Sequence, residues 1–532
     1  MKKYDMLKDS PGKSLFFFAL PMILGNLFQQ FYNMADSMIV GQCVGENALA
    51  AVGASYSLTT VFIMIAIGGG IGASVITSQY LGARAYGKMK VSVYTALISF
   101  AAVSVVLGVF GFIMGGRILV ALRTPGNILE DAVLYLRIYF VGLPFLFMYN
   151  VLSSVFNALG NSKTPLYLLI FSSLLNILLD LFMVLVLHME VAGVAVATVL
   201  AQGLSAVISF LLLMRTLRGF ADVPERENLG GELPREHTEG KGTVGEHTEG
   251  KSIIDKYAEG KGTVDKYAEG KGTVGEYAEG KGTVGKYAEG KSIVGEHAEG
   301  KGTVGEHPAG GGIYSVRMLG RMIKIAIPSM LQQSIVSIGM LLVQSVVNGF
   351  GSLVLAGYTS GMRVESICIV PMIATGNAMS TFTAQNLGAG NPERVRKGYR
   401  MAYGIVIGFA VLILTVLSLF HTQIVSAFIK DGSSIKAFAT GDEYLRFIRF
   451  FFVFIGVKAI TDGVLKGAGD VVVFTLANLI NLGIRVFVSF RFAGPWGVEA
   501  VWYAVPMGWA TNYIISLLWF FTGRWSRKQV IR

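Results

Sequence analysis

Residues 19–41, ALPMILGNLFQQFYNMADSMIVG, have the length of a membrane helix but contain two residues that such helices seldom carry. About 20 apolar residues cross the hydrocarbon core of a bilayer as a helix. This segment also holds a proline, Pro21, and one carboxylate, Asp36. An ionisable side chain near the bilayer centre costs at least about 2.5–3.5 kcal/mol, so it normally faces a protein interior or a water-filled cavity. The segment therefore predicts a membrane helix in which Asp36 has a function.

The composition of the whole chain is that of a polytopic membrane protein. Its 532 residues are 53% hydrophobic and 15% charged, and the mean hydropathy is +0.57. Long apolar runs are separated by short polar or glycine-containing turns, which indicates helices rather than the alternating strands of a barrel. These values exclude an ordinary soluble enzyme.

Charge and cysteine content give no sign of nucleic acid, disulfides or metals. The net charge is +11, but the basic residues lie in short loops between apolar runs, where the positive-inside rule explains them. The two cysteines, Cys43 and Cys368, have no C-x-x-C spacing and no clustered histidines near them. We therefore expect no nucleic-acid partner, no disulfide and no structural metal.

Twelve apolar segments are predicted to cross the membrane. Basic residues gather in alternate connecting loops, for example Arg84, Lys88 and Lys90, and such loops normally stay in the cytoplasm. We therefore expect both termini in the cytoplasm. The first segment lacks the cleavage site of a signal peptide, so we expect it to remain as a membrane helix. The predicted spans lie near residues 14–40, 48–78, 91–115, 131–155, 164–188, 193–216, 318–348, 353–385, 399–420, 439–464, 472–492 and 498–521.

The two halves of the chain resemble each other. Pro21 matches Pro328, SQYLGA matches AQNLGAG, YLR at Tyr135 matches YLR at Tyr444, and NALGN matches KGAGD, with offsets of 306 to 309 residues. Each repeat holds an even number of spans, so the two are related by an axis along the membrane normal. The expected fold is all-α, with twelve helices in two pseudo-symmetric six-helix lobes, an N-lobe (1–219) and a C-lobe (316–532).

A polar insert at 220–315 connects the lobes. Within it, residues 237–306 are seven copies of a decapeptide of the type YAEGKGTVGE. Its glycines and alternating charges cannot bury enough apolar surface to offset chain entropy, so we expect a disordered cytoplasmic linker.

Four oxygen-bearing residues of the N-lobe are candidates for a cation site. Asn176 and Asp180 are four residues apart on one face of the fifth span, and Thr198 lies in the sixth. If they meet Asp36, the group could hold Na⁺ or, through one carboxyl, a proton. The alternative is hydrogen bonding between helices, at about 0.6 kcal/mol per bond. Two aspartates in apolar spans favour ion coupling.

The C-lobe does not repeat this pattern. Asn481 is the equivalent of Asn176 in the second repeat, but the equivalent of Asp180 is Arg485, a base. This difference predicts a single cation site. Glu365 and Arg485 are expected to pair and stabilise the lobe, and substrate contact is the alternative. Asp462 lies near the cytoplasmic end of a span, so we expect it to be solvated or to cap a helix.

The first spans of the lobes are expected to kink at their prolines, Pro21 and Pro328. Uncharged polar residues, with abundant Met and Phe, predict a cleft suited to amphipathic or aromatic cations. No P-loop, G-x-S-x-G or H-E-x-x-H motif is present, so we expect no enzyme and no cofactor. The predicted cleft residues are Gln29, Gln30, Tyr32, Asn33, Asn150 and Asn157.

Several motifs resemble the multidrug and toxic compound extrusion (MATE) family, in its bacterial branch. They are LPMILGNLFQQFYNMADSMIVG, SQYLGAR, NALGNSKTP, RVES, PMIATGNAMSTFTAQNLGAGNPERVRKGYR and LKGAGD. The resemblance implies cation-coupled antiport of organic cations and other drugs by alternating access. It implies a cation site at Asp36, Asn176, Asp180 and Thr198 and a kinking proline at Pro21. Acids that some relatives use in the seventh and tenth helices are missing at the aligned positions.

Together these features predict an antiporter of the bacterial inner membrane, a monomer, coupled to Na⁺ or H⁺ and exporting amphipathic or cationic small molecules. One alternative is a flippase for a lipid-linked saccharide or other amphiphile, which a more cationic cleft and extra helices would favour. A channel or a passive membrane scaffold is the other. Transport independent of Asp36 and without gradient-driven accumulation would indicate a channel.

Overall fold

The computed structural model describes residues 5–122, 124–220, 313–426, 435–527 and 530–531, together with four two-residue strands between the helical halves. The helices of the first half are α1 (Pro11–Ile39), α2 (Glu46–Gly82), α3 (Tyr86–Ala121), α4 (Gly126–Ala158), α5 (Lys163–Leu181) and α6 (Glu190–Arg218). Those of the second half are α7 (Val316–Asn348), α8 (Ser352–Cys368), α9 (Val370–Gly388), α10 (Pro392–Ser426), α11 (Ile435–Ile448), α12 (Phe452–Gly467), α13 (Val471–Trp496) and α14 (Glu499–Phe521).

Eleven helical segments of the described residues are long and apolar enough to cross a membrane. The predicted tenth span, 439–464, instead consists of α11 and α12, which are separated by a turn at 449–451. Arg446 and Arg449 make this stretch less apolar than the other spans. The chain thus follows the predicted order of crossings, with helices divided at the eighth, between α8 and α9, and at the tenth, between α11 and α12.

The two helical halves form one compact unit. Helix α2 packs on α7 and α9, and α1 packs on α9 and α10, so the first two helices carry much of the contact between halves. Within the first half α2, α3 and α6 surround α4, and α1 packs on α5. The large buried side chains of both halves belong to one continuous apolar core.

Helices α2 and α9 cross in backbone contact at their C-terminal ends. A Cβ atom added to Gly82 would lie 1.9 Å from the carbonyl oxygen of Gln385, and one added to Gly388 would lie 2.0 Å from that of Gln79. Only glycine permits this approach. The SQYLGA and AQNLGAG repeats therefore form a symmetric crossing between the halves.

Glutamines from the same repeats fasten the crossing. Gln79 Nε2 donates to the Gly467 carbonyl at 3.3 Å, and Gln385 Nε2 donates to the Ala158 carbonyl at 2.8 Å. Each glutamine thus reaches the helix end of the opposite half, and we call this set of contacts the glycine–glutamine seal.

Both ends of the chain pack at the glycine–glutamine seal. Asn386 Nδ2 and Arg394 Nε each donate to the Met6 carbonyl at 3.2 Å. The backbone N–H of Val530 donates to Gln79 Oε1 at 3.2 Å. The N- and C-terminal segments therefore lie on the same side of the helical unit.

The predicted disordered linker, 220–315, lies mostly outside the described residues. The structure describes one short strand in each of four consecutive decapeptides, and these strands pair in parallel order with Glu249 opposite Glu259. They are β1 (Thr248–Glu249), β2 (Ala258–Glu259), β3 (Ala268–Glu269) and β4 (Ala278–Glu279).

Candidate functional site

The carboxyl groups of Asp36 on α1 and Asp180 on α5 lie within hydrogen-bonding range of each other. Asp180 is fully buried. Three of the four carboxyl oxygens, Asp36 Oδ1 and both oxygens of Asp180, meet no donor in the described part of the chain. Two adjoining carboxylates in a desolvated site repel each other strongly when both are ionised. A proton or a cation between them would relieve this repulsion.

The other two predicted cation-site residues lie beside this acid pair. Asn176, one helical turn before Asp180, accepts a hydrogen bond from the Tyr32 hydroxyl through Oδ1. Its Nδ2 lies 3.5 Å from Thr198 Oγ1, and Thr198 Oγ1 donates to the Val194 carbonyl at 3.0 Å. The structure thus brings Asp36, Asn176, Asp180 and Thr198 together from three helices. Their role as cation ligands remains a prediction.

Tyr135 on α4 is a neighbour of the acid pair that the sequence reasoning did not assign to the site. It lies close enough to interact electrostatically with Asp36 and Asp180. The repeated YLR motif carries the signal, because its other copy, Tyr444, donates a hydrogen bond to Glu365 Oε2. In both halves this tyrosine therefore faces a buried acid.

Both acid-bearing helices end in a π-helical turn just beyond the acid. Helix α1 continues into a π turn at Val40–Val44, and α5 continues into one at Phe182–Val186. Such turns rotate the side chains that follow and are frequent at functional sites. Val40 and Val184 from these turns form a small apolar cluster with Val191 and Val194.

The predicted kinking proline, Pro21, lies buried within α1. Proline has no N–H and clashes with the preceding turn, so it weakens the helix locally. Pro328 occupies the same position in α7. Each half thus has a proline inside its first helix, and the kink at Pro21 stays a prediction.

The six predicted cleft residues lie on two helices, four on α1 and two on α4, and their role in a substrate cleft stays a prediction. Gln29 Nε2 donates to Asn33 Oδ1 at 3.1 Å along α1, where Gln30 is partly buried, while the Tyr32 hydroxyl donates to Asn176 Oδ1. Asn150 Nδ2 donates to the Leu146 carbonyl of its own helix at 2.9 Å. Asn157 is next to Ala158 at the glycine–glutamine seal.

Glu365 and Arg485 are both buried and interact electrostatically. Glu365 accepts the Tyr444 hydrogen bond described above, and no N–O contact within 4.0 Å joins it to Arg485 among the described ion pairs. Arg485 Nε meets no acceptor in the same set of residues. The two residues share a region of the C-lobe without a direct ion pair.

The expectation that Asp462 is solvated or caps a helix is wrong. Asp462 is only 4% exposed. Its Oδ2 lies 2.8 Å from Lys458 Nζ, and its Oδ1 accepts a hydrogen bond from Ser516 Oγ at 2.9 Å. Lys458 Nζ also donates to Asn478 Oδ1 at 2.9 Å. Asp462 thus has a counterion in the chain, whereas the described residues place no Lys or Arg in an ion pair with Asp36 or Asp180.

A family model described as MatE matches residues 21–182 and 328–490, one segment in each half. The chain belongs to the MatE family. Members of this family are multidrug efflux transporters with many membrane-spanning helices. The bacterial MATE resemblance expected from the motifs is therefore confirmed, and with it a multi-pass membrane protein.

Curated relatives of this MatE protein match it along nearly its whole length. It is 26% identical over 531 residues to the "Probable multidrug resistance protein YpnP" of Bacillus subtilis (strain 168), covering 100% of this chain and 99% of that one. It is 22% identical to the "Probable multidrug resistance protein NorM" of Thermotoga maritima, covering 98% and 94% of the two chains.

Solved structures confirm the fold of two six-helix lobes. A crystal structure of MATE in complex with MaL6 superposes with a TM-score of 0.77 at 20% identity, covering 99% of both chains. An outward-facing multidrug resistance MATE family transporter of the MOP superfamily superposes with a TM-score of 0.76 at 21% identity, covering 99% and 98%.

Proposed function

We propose that this MatE protein is an antiporter that exports drugs and other organic cations in exchange for Na⁺ or H⁺. The observation that carries the proposal is the Asp36–Asp180 pair, because three of its oxygens meet no donor in the described residues. A pair of this kind is stable only with a bound cation, so its occupancy can control conformation. The multidrug resistance names of the relatives support the substrate class.

In the proposed mechanism the cation holds α1 against α5. When it leaves, repulsion between the two carboxylates favours separation of the helices, which the π turn after Asp36 and the bend at Pro21 would absorb. Tyr32 moves with Asp36, so its hydrogen bond to Asn176 would break in the same step. Cation and substrate then exclude each other because they stabilise different arrangements of α1, and this exclusion is reciprocal.

Alternating access requires the glycine–glutamine seal to open. We place the seal on the cytoplasmic side, because the chain termini pack there and the basic loops follow the positive-inside rule. The described conformation is then closed toward the cytoplasm. The protein would work as a monomer in a bacterial inner membrane, with no cofactor besides the coupling ion.

The test is drug flux in proteoliposomes under an imposed Na⁺ or pH gradient. Wild type should move ethidium against its gradient with one of the two ions, and Asp36→Asn and Asp180→Asn should each abolish this movement. Glu365→Gln is the matched control, because Glu365 is a buried acid that already has a donor, and it should retain coupling. Equal flux in wild type and both aspartate variants would refute the proposal. Folded protein that moves no drug under either gradient would favour a lipid flippase.

A further inference from the structure

A cavity of about 830 Å³ opens in the C-lobe, between the α11–α12 break and the α13–α14 turn. Its walls include five aromatic residues and one acid. We call it the aromatic pocket. It is lined only by residues of the second half, whereas Asp36 and Asp180 belong to the first. Its main lining residues are Phe447, Phe451, Phe454, Trp496, Glu499 and Tyr503.

The Tyr503 ring faces a different direction from two of its neighbours in the pocket. The Tyr503 ring is nearly perpendicular to the ring of Phe447, at 87° and 5.1 Å between centroids, and to that of Trp496, at 88° and 6.0 Å. Phe451 packs beside Phe447 at 4.9 Å. The face of an aromatic ring attracts a cation within about 6 Å, and quaternary ammonium groups bind in cages of such rings.

A carboxylate adds charge selectivity to the pocket. Glu499, in the first turn of α14, is solvent-exposed and accepts a hydrogen bond from the Tyr503 hydroxyl at 3.2 Å. It is the acid among the lining residues, and Lys and Arg are not among them. Rings together with one carboxylate favour an organic cation over a neutral or anionic molecule of the same size.

Aromatic residues at a membrane interface are the competing explanation. Trp and Tyr commonly anchor helix ends at the headgroup level, and Trp496 and Tyr503 are 45% and 38% exposed. That explanation does not account for Phe451 in the turn of the tenth crossing, nor for Phe447 and Phe454 on the adjoining ends of α11 and α12, because all three lie in the middle of that crossing. Interfacial anchoring therefore explains only part of the lining of the pocket.

We propose that the aromatic pocket binds the ammonium group of an organic cation, at the end of the C-lobe opposite the chain termini. The ligand is either an exported drug or the choline or ethanolamine group of a lipid, since all share this chemistry. A role as an outer holding site for exported drug rests on the proposed antiport. Binding itself does not depend on transport.

The test is equilibrium dialysis of the full-length protein in nanodiscs of phosphatidylglycerol, which has no ammonium headgroup. Tetraphenylphosphonium is the probe, and tetraphenylborate is the anion of the same shape, with empty nanodiscs subtracted. Wild type should bind the phosphonium and not the borate at this site. Trp496→Ala and Glu499→Gln should each raise the dissociation constant of one saturable phosphonium site by about five- to tenfold.

Three controls make the result specific. Phe450→Ala removes an exposed ring outside the pocket and should change nothing. Tyr503→Phe keeps the ring, so it should retain most of the binding and show that the pocket is folded. Asp36→Asn should leave phosphonium binding to the aromatic pocket unchanged.

Identical phosphonium binding isotherms for wild type, Trp496→Ala and Glu499→Gln would overturn the proposal. Equal binding of tetraphenylborate and tetraphenylphosphonium by wild type would also overturn it. Repeating the dialysis in phosphatidylcholine identifies the source of the ligand. Competition by choline headgroups there supports a lipid ligand, and unchanged binding supports a drug. Failure of drug transport with binding intact would count against the antiport alone.

Discussion

Asp180 and Asp462 are both buried aspartates, but their electrostatic surroundings are opposite. Asp462 is 2.8 Å from Lys458 Nζ, so its charge is balanced within the chain. Asp180 adjoins Asp36 and meets no donor in the described residues. The two sites therefore respond in opposite ways when one charge is removed.

Neutralising Asp180 should not destabilise the protein in a buffer without Na⁺ at alkaline pH. Asp180→Asn removes the repulsion and supplies an amide donor to Asp36, so the Tm in detergent should stay equal or rise. Lys458→Met should lower the Tm, because breaking a buried ion pair leaves an uncompensated charge and costs about 3–5 kcal/mol.

One further variant completes this comparison. The double variant Lys458→Met/Asp462→Asn should recover part of the lost Tm, since no unpaired carboxylate remains at position 462. A clear fall in Tm for Asp180→Asn under the same conditions would mean that Asp180 has a donor in the folded protein, contrary to our account.

At the scale of helices, the crossing of α2 and α9 is the most restrictive contact between the halves. The atom that a Cβ on Gly82 would meet is the Gln385 backbone oxygen, at 1.9 Å, and a backbone atom cannot move aside as a side chain can. The sequence repeats predicted that these segments are equivalent, but not that they touch. Contact depends on how the helices cross, which repeat spacing does not specify.

Gly82→Val should force α2 and α9 apart and disfavour the described conformation. Double electron–electron resonance between spin labels on the ends of α2 and α9 should then show longer distances. Coupled transport should fall. Gly404→Val is the matched control, because nothing lies within 4 Å of a Cβ at Gly404 in α10. Unchanged distances in Gly82→Val would show that the crossing is not a seal.

The tenth crossing shows the limit of hydropathy at this scale. The apolar run at 439–464 predicts one span, and the structure divides it into α11 and α12. Backbone breaks of this kind are tolerated in membranes where the chain is covered by protein or lines a cavity. The aromatic pocket lies at this break, so the irregular backbone and the proposed cation site coincide.

At the scale of the whole molecule, the order of crossings and the two-lobed fold could be predicted from the sequence. Apolar length is a local property, and the repeat offsets are visible without any contact. The candidate cation-site residues could be named because Asp36 and Asp180 are conspicuous in apolar spans. The YLR repeat marks Tyr135 but does not show that it faces an acid, and the Lys458–Asp462 pair could not be predicted, since such contacts depend on helix rotation and packing.

The decapeptide insert should be dispensable for transport. The two halves form one compact unit through direct helix contacts, so deletion of residues 237–306 leaves those contacts in place. Gradient-driven ethidium flux of the deletion variant should match that of wild type. Loss of flux in a deletion variant that inserts normally would show that the repeats take part in transport.

The most direct test of the central claim is cation binding by the purified protein without any drug or gradient. We would measure ²²Na⁺ binding at several pH values, together with proton uptake, for wild type, Asp36→Asn, Asp180→Asn and Glu365→Gln. The account predicts one saturable Na⁺ or proton site in wild type and Glu365→Gln, and none in either aspartate variant. An undiminished site in Asp36→Asn and Asp180→Asn would contradict the account.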